Sequence, residues 1–259
     1  APWQSHGNPT PRVAEVTSGM LNAIGLQGPG IDRFLHDEHY MPFLRKSGAT
    51  TIVNIWGKKI EDYCEVARRL DEDSEGIAAL EINVSCPNVK EGGIAFGTDT
   101  EMMGKVVSAV RKATGLPLIT KLSPNVTKIA DFAKAAEDAG SDMISLINTI
   151  PAMAIDIETF RPKIANVTGG FSGPAIKPIA VRMVYEAAHA VRIPVIGMGG
   201  ITTGEDAVEF FLAGAKAVAV GTAIFADPMA PVKVIKGIND YLDRKGFKSV
   251  NDIIGLFGR

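Results

Sequence analysis

The sequence predicts an α/β fold, a (β/α)8 TIM barrel of which the last six βα units are evident in residues 1–259. Three observations lead there: six short apolar runs rich in β-branched residues, helical patterns between them, and glycine-rich ends on the last two runs. Near-continuous hydrophobicity, rather than alternation, marks parallel strands covered on both faces. Strand and helix alternating six times calls for right-handed βαβ crossovers.

The elements follow in order. Residues 1–12, APWQSHGNPTPR, read as loop, and 13–30, VAEVTSGMLNAIGLQGPG, has a weak strand signal and too many glycines for a full βα unit. The first strand is TTIVNIW from Thr50, followed by the helix IEDYCEVARRL, where Ile60, Tyr63, Cys64, Ala67 and Leu70 recur at helical spacing. Cys64 reads as core filler on that stripe. AALEINVS from Ala78 precedes a helix over 100–114, and PLITKLS from Pro117 precedes one over 127–139. DMISLINT from Asp142 leads, after a long connection, to a helix over 177–191. PVIGMGG from Pro194 precedes a helix over 204–213, and AVAVGTA from Ala217 precedes helices over 228–244 and 249–257. The stretches after Cys86 and after Thr149, running to about residues 99 and 175, read as long loops, candidates for lids or partner surfaces. A closed barrel leaves no strand edge. Residues 1–259 are therefore expected to be a single barrel domain without its first two strands, with outer strands near residues 50 and 217.

Composition narrows the function. A formal charge of −2 gives no footprint for nucleic acid or an anionic membrane, and no apolar run reaches the ~18 residues of a spanning helix. Two cysteines in different settings form no disulfide framework, which points to a reducing cytoplasm. The four histidines fall in loops or on helices, away from strand ends, so neither a metal site nor a Cys–His pair is expected.

In a barrel the active site sits at the C-terminal strand ends. Read in order, those ends carry Asn54; Asn83, Ser85 and Cys86; Lys121 and Ser123; Asn148 and Thr149; Gly199 and Gly200; Gly221 and Thr222. Amides at this density suit a heterocycle with alternating carbonyl and N–H edges, although one strand-end Asn is ordinarily a turn residue. Lys121, in an otherwise apolar strand, is either paired with a carboxylate such as Glu81 or is a fixed positive charge beside an anionic ring. The glycine pairs either make tight turns or let backbone N–H groups approach a phosphate. With no histidine on its face, Cys86 reads as a general base.

The stretches GMLNAIGLQGPG (19–30), NVSCPNVKEGGIAFGTD (83–99), KLSPNV (121–126), INT (147–149), NVTGGFSGPAIKP (166–178), GMGG (197–200) and AVAVGTA (217–223) resemble dihydroorotate dehydrogenase. Cysteine in the SCPN position resembles family 1 of these enzymes, and the NVKEGGIAFGTD continuation resembles the catalytic subunit of the NAD-linked, two-subunit subclass. The resemblance implies FMN as cofactor and oxidation of dihydroorotate to orotate in de novo pyrimidine biosynthesis. Cys86 would take a proton from C5 while a hydride leaves C6 for the flavin. Asn22, Ala23, Ile24, Gly25 and Leu26, with Asn83, Asn148 and Thr149, would hold the substrate. Asn54, Asn83, Lys121 and Ile147 would contact the flavin ring. Gly173, Gly199, Gly200, Gly221 and Thr222 would hold its phosphate. The implied partners are an iron–sulfur FAD electron-transfer subunit that passes electrons to NAD, and a second copy of this chain as the homodimer core of a heterotetramer. The family also has about fifty residues more at its N-terminus, holding the first two strands. Two alternatives stand beside this reading: a non-catalytic truncated chain, and a flavin-free phosphate-binding barrel isomerase or lyase.

Overall fold

The computed structural model describes residues 1–84, 90–91 and 94–258. The chain divides into two compact units, residues 1–7, 25–123 and 131–144 in one and 8–24, 124–130 and 145–259 in the other. It opens on a hairpin, β1 (Val13–Val16) and β2 (Gly19–Asn22), then two short helices, α1 (Ile31–His36) and α2 (Met41–Ser47). β3 (Thr51–Ile55), α3 (Ile60–Glu72) and β4 (Ile77–Asn83) follow, then the two-residue strands β5 (Lys90–Glu91) and β6 (Ile94–Ala95). α4 (Thr100–Ala113), β7 (Leu118–Lys121), α5 (Ile129–Asp138) and β8 (Met143–Leu146) continue the alternation. Four strands come next: β9 (Ile150–Met153), β10 (Ile155–Asp156), β11 (Arg161–Pro162) and β12 (Thr168–Ser172). α6 (Lys177–Ala190), β13 (Val195–Met198), α7 (Gly204–Ala213), β14 (Ala217–Ala219), α8 (Ala223–Ala226) and α9 (Ala230–Lys245) complete the order. Five of the six apolar runs of the sequence contain one of β3, β7, β8, β13 and β14, and the sixth overlaps β4, which begins one residue earlier at Ile77.

In the first unit β3 pairs with β4 and β4 with β7, all in parallel. α3 covers β3 and β4 and packs on α4. Its buried face is Tyr63, Val66, Ala67 and Leu70, the i, i+3, i+4, i+7 stripe of an amphipathic helix. Asp62 is buried beside them because its carboxylate accepts from the backbone N–H groups of Lys58 and Lys59, at 2.8 and 3.0 Å, and so stays satisfied. Cys64 is not core: it lies half-buried at the margin of the stripe, and that burial pushes its thiol pKa up.

The second unit corrects two expectations. The stretch after Thr149 is not a loop. It folds into β9 and β12, which join the N-terminal hairpin in an antiparallel sheet ordered β1-β2-β12-β9. IPAM and TGGFS read as loop because of their proline and glycines, yet here those residues permit the pairing. Pro151 lies on the edge strand, where a missing N–H costs little. A Cβ on Gly169 would sit 2.7 Å from the Asn22 carbonyl oxygen, so β12 can approach β2 only as glycine.

The second correction concerns residues 249–257, which form a single short 3₁₀ turn, Val250–Asp252, instead of a helix. Their backbone donors go elsewhere: Gly255 N–H donates to the Phe211 carbonyl at 2.9 Å and Phe257 N–H to that of Leu212 at 3.3 Å. These are carbonyls of the last turn of α7, and that of Phe211 also accepts from the N–H of the C-cap residue Gly214 at 3.0 Å. Gly255, at φ 68°, turns the chain into that position.

α7 and α9 meet glycine to glycine. A Cβ on Gly204 would lie 2.3 Å from the carbonyl carbon of Gly237 and 2.5 Å from its Cα, both unyielding backbone. Gly204→Ala should therefore prise the helices apart and cost about 1–3 kcal/mol, as overpacking does. Gly104, inside α4, has open space around it, so Gly104→Ala should stabilise by about 0.5–1 kcal/mol. Thermal melts of the two variants should move in opposite directions, and equal shifts would refute the α7–α9 packing.

Candidate active site

Register assembles the first cluster. Across the parallel strands Asn54 stands beside Glu81, and Asn83 beside Lys121. Side chains alternate faces along a strand, so Glu81 and Asn83 share a face, and their neighbours Asn54 and Lys121 share it too. The other face of β4 carries Leu80 and Ile82, both fully buried in the core. Four polar groups from the C-terminal parts of three strands thus come together on one surface.

Their contacts are directional. Asn54 Nδ2 donates to Glu81 Oε2 at 2.5 Å, and Asn83 Nδ2 reaches Asn54 Oδ1 at 3.5 Å. A carboxylate only accepts, so Glu81 fixes which end of the Asn54 amide faces it, and Asn54 then presents its oxygen to Asn83. Lys121 Nζ stands 4.0 Å from Glu81 Oε2, at the outer limit of an ion pair, with side-chain exposures of 21% and 14%. Below them the fully buried Tyr63 donates its hydroxyl to the Asn83 carbonyl at 3.0 Å and holds the end of β4 in place. Asn54 and Leu26 also line one cavity of about 440 Å³ in this unit, together with Trp3, Phe34, Tyr40 and Trp56. Gly25 and Leu26 both have positive φ, 79° and 56°; the value is rare for leucine, and such backbone clusters at functional sites.

The second unit brings Asn22, Asn148 and Thr149 to one end of its antiparallel sheet. Asn22, the last residue of β2, donates from Nδ2 to the Gly170 carbonyl at 3.4 Å. A Cβ on Gly170 would lie 2.0 Å from Thr149 Oγ1, so Thr149 rests directly on that glycine. Asn148 Oδ1 accepts from Thr149 N–H at 2.9 Å, and the Thr149 carbonyl accepts from Asn125 Nδ2 at 3.3 Å. Ala23 and Ile24 are held by the segment before β1: Ala23 N–H donates to the Arg12 carbonyl, and Asn8 donates to the carbonyls of both residues.

The glycine turns lie in the same unit. Gly173, Gly199 and Gly200 have φ of 110°, 125° and 78°, which other residues rarely adopt. The fully enclosed Ile147 donates its N–H to the Met198 carbonyl at 3.0 Å, and a Cβ on Gly199 would come within 3.3 Å of its side chain. α7 begins after these glycines with a reciprocal cap, Thr203 Oγ1 accepting from Asp206 N–H and Asp206 from Thr203 N–H. Around Gly221 a Cβ would meet nothing within 4 Å, and Thr222 leads into α8.

Cys86 lies outside the described residues, as does Ser85. Sequence reasoning weighed Glu81 only as a partner for Lys121 and missed that it orients Asn54. Asn125 and Gly170 were legible only as parts of KLSPNV and NVTGGFSG. Among the described residues no group of three His, Cys, Asp or Glu side chains is placed to hold a metal, and no helix is long and apolar enough to cross a membrane.

Known proteins are similar to this chain in sequence and in fold. A family model described as dihydroorotate dehydrogenase matches residues 1–242. The chain is 56% identical over 254 residues to the "Dihydroorotate dehydrogenase B (NAD(+)), catalytic subunit" of Alkaliphilus metalliredigens, covering 98% of this chain and 82% of that protein. A protein of the same description from Geobacter sulfurreducens is 57% identical over 249 residues, 96% of this chain and 81% of that one. Among solved structures, the Eimeria tenella dihydroorotate dehydrogenase in complex with ferulenol matches all of this chain and 77% of its own, with a TM-score of 0.81 and 25% identity. The six βα units are those of a (β/α)8 barrel of this kind, and the chain belongs to the dihydroorotate dehydrogenase family.

Proposed function

We propose that this chain oxidises dihydroorotate to orotate in pyrimidine biosynthesis, as an FMN-binding barrel domain of the NAD-linked type. The observation that carries the reading is the single sheet face bearing Asn54, Glu81, Asn83 and Lys121. Its amides offer fixed donors and acceptors to a heterocycle, and Lys121 adds a cation that is only loosely held by Glu81. The residues present fit FMN: the space at Gly221 is open, and the half-buried Gly199 and Gly200, both at positive φ, form the turn that leads into α7.

When bound, FMN supplies a two-electron acceptor for the hydride from C6 of dihydroorotate. Cys86, as thiolate, takes the C5 proton, and the C5–C6 double bond of orotate forms. Asn22, Asn83, Asn148 and Thr149, with the Ala23–Leu26 backbone, would hold the pyrimidine. Asn54, Asn83, Ile147 and Lys121 would hold the flavin ring, and Lys121 would supply a positive charge to it. Gly173, Gly199, Gly200, Gly221 and Thr222 would hold its phosphate.

Electrons leave through a partner. No G-x-G-x-x-G fingerprint follows any strand, and the resemblance to the NAD-linked subclass supports a separate subunit carrying FAD and an iron–sulfur centre as the route to NAD, in a cytoplasmic assembly built on a homodimer of this chain.

Purified chain should take up FMN in about a one-to-one ratio, shift the flavin bands on adding orotate, and bleach them with dihydroorotate in the absence of oxygen. Flavin uptake without bleaching would favour the non-catalytic reading. A chain that binds inorganic phosphate but no flavin would favour an isomerase or lyase.

A further inference from the structure

Lys177 is absorbed by none of the roles above, yet it stands at the junction of the glycine turns. It is the first residue of α6, and its Nζ lies 2.6 Å from Asp206 Oδ1 and 2.6 Å from Glu209 Oε1, both on α7. The other Asp206 oxygen, Oδ2, accepts from Thr202 N–H at 2.9 Å, Thr202 Oγ1 at 2.7 Å and Thr203 N–H at 2.9 Å. One carboxylate therefore joins the lysine on one side to the loop after Gly200 on the other. The backbone makes the same connection directly. A Cβ on Gly200 would lie 2.8 Å from Lys177 Cβ, 2.9 Å from Lys177 N and 2.9 Å from the Gly173 carbonyl oxygen. Gly200 thus rests on Lys177 itself. Burial pushes Asp206 up, but the bonds from Lys177 and Thr202 outweigh it and hold the carboxyl well below its usual range. Burial likewise lowers Lys177, and its two carboxylate partners more than reverse this. Lys177 and Asp206 are both charged at neutral pH.

We infer that Lys177 is a positioning residue for the phosphate of FMN, bracing the Gly199–Thr203 turn between the first turns of α6 and α7. The inference rests on the proposed phosphate site at Gly173, Gly199 and Gly200. Lys177 does not bind the phosphate. Its ammonium is spent on two carboxylates, and the triad of one lysine and two acids carries a net −1. It acts by fixing where the turn's N–H groups point. Removing it frees the loop and also leaves two carboxylates unpaired beside a phosphate dianion.

Riboflavin, which has the same ring and no phosphate, separates this role from general support. Flavin binding to the flavin-depleted chain is followed by fluorescence quenching. Lys177→Met should weaken FMN binding by about tenfold to hundredfold, the scale of one charge-assisted hydrogen bond. Riboflavin affinity should stay within about threefold. The double variant Lys177→Met with Glu209→Gln restores the net −1 without restoring the brace, and its FMN loss should persist. Full recovery in the double variant would reduce Lys177 to charge compensation and overturn the inference, as would parallel losses of FMN and riboflavin or no loss at all. Lys177→Gln, which keeps a donor near Asp206, decides by the same criteria if the methionine variant does not fold. A wild-type chain that binds FMN no tighter than riboflavin would remove the phosphate site itself. A wild-type preference kept by the variants would remove the inference alone.

Discussion

Replacing Cys86 by alanine should slow flavin reduction by dihydroorotate by about 10²–10⁴-fold, the range that a positioned general base contributes. Cys86→Ser should fall between the two, because a hydroxyl is far less acidic than a thiol of pKa about 8.5 and is a poor proton acceptor until it ionises. Orotate affinity should change little in either variant, since the amides of Asn83 and Asn148 and the Thr149 hydroxyl are untouched. Stopped-flow reduction at saturating dihydroorotate reads the first quantity, and a flavin difference-spectrum titration with orotate reads the second. A rate near that of wild type at neutral pH would take Cys86 out of the mechanism. A parallel loss of orotate binding would mean that the cysteine shapes the pocket instead of moving the proton.

Lys121→Met should reduce the same step by about 10²–10³-fold, the effect of removing one preorganised group aimed at developing charge. The flavin should also become harder to reduce, its midpoint potential moving negative. The geometry gives the reason. At 4.0 Å from Glu81 the ammonium is near enough to be held on the face but not consumed by a short ion pair, unlike Lys177 with its two contacts of 2.6 Å. If the Lys121–Glu81 pair were only structural, Lys121→Met would lower the melting temperature and leave the reduction rate within about threefold of wild type, because a partly exposed pair contributes little beyond stability. Glu81→Gln complements the test. A glutamine can turn its amide either way, so the orientation of Asn54 is no longer dictated.

The sequence alone determined the alternation of six strands and their helices, and it located Asn54, Asn83 and Lys121 at strand ends. These are local properties: apolar runs bury on both faces, and a strand's last residues necessarily reach its rim. It also marked Gly199 and Gly200 at a strand end, where both have a positive φ that few other residues tolerate, whereas Gly173 entered only through the family resemblance. Only the tertiary structure decided that Glu81 orients Asn54, because that depends on the register of β3 against β4 and not on either strand by itself. It decided that Asn22 meets Gly170, a pairing across 148 residues of chain between segments whose glycines and proline read locally as loop. It decided, too, that residues 249–257 give their N–H groups to the end of α7 and do not form a helix. Lys177 belongs with these, an ordinary lysine at a helix start until two helices bring Asp206 and Glu209 to it. In each case the partner is chosen by packing between distant segments, where a satisfied backbone or side-chain group outweighs the weak propensity of a short stretch.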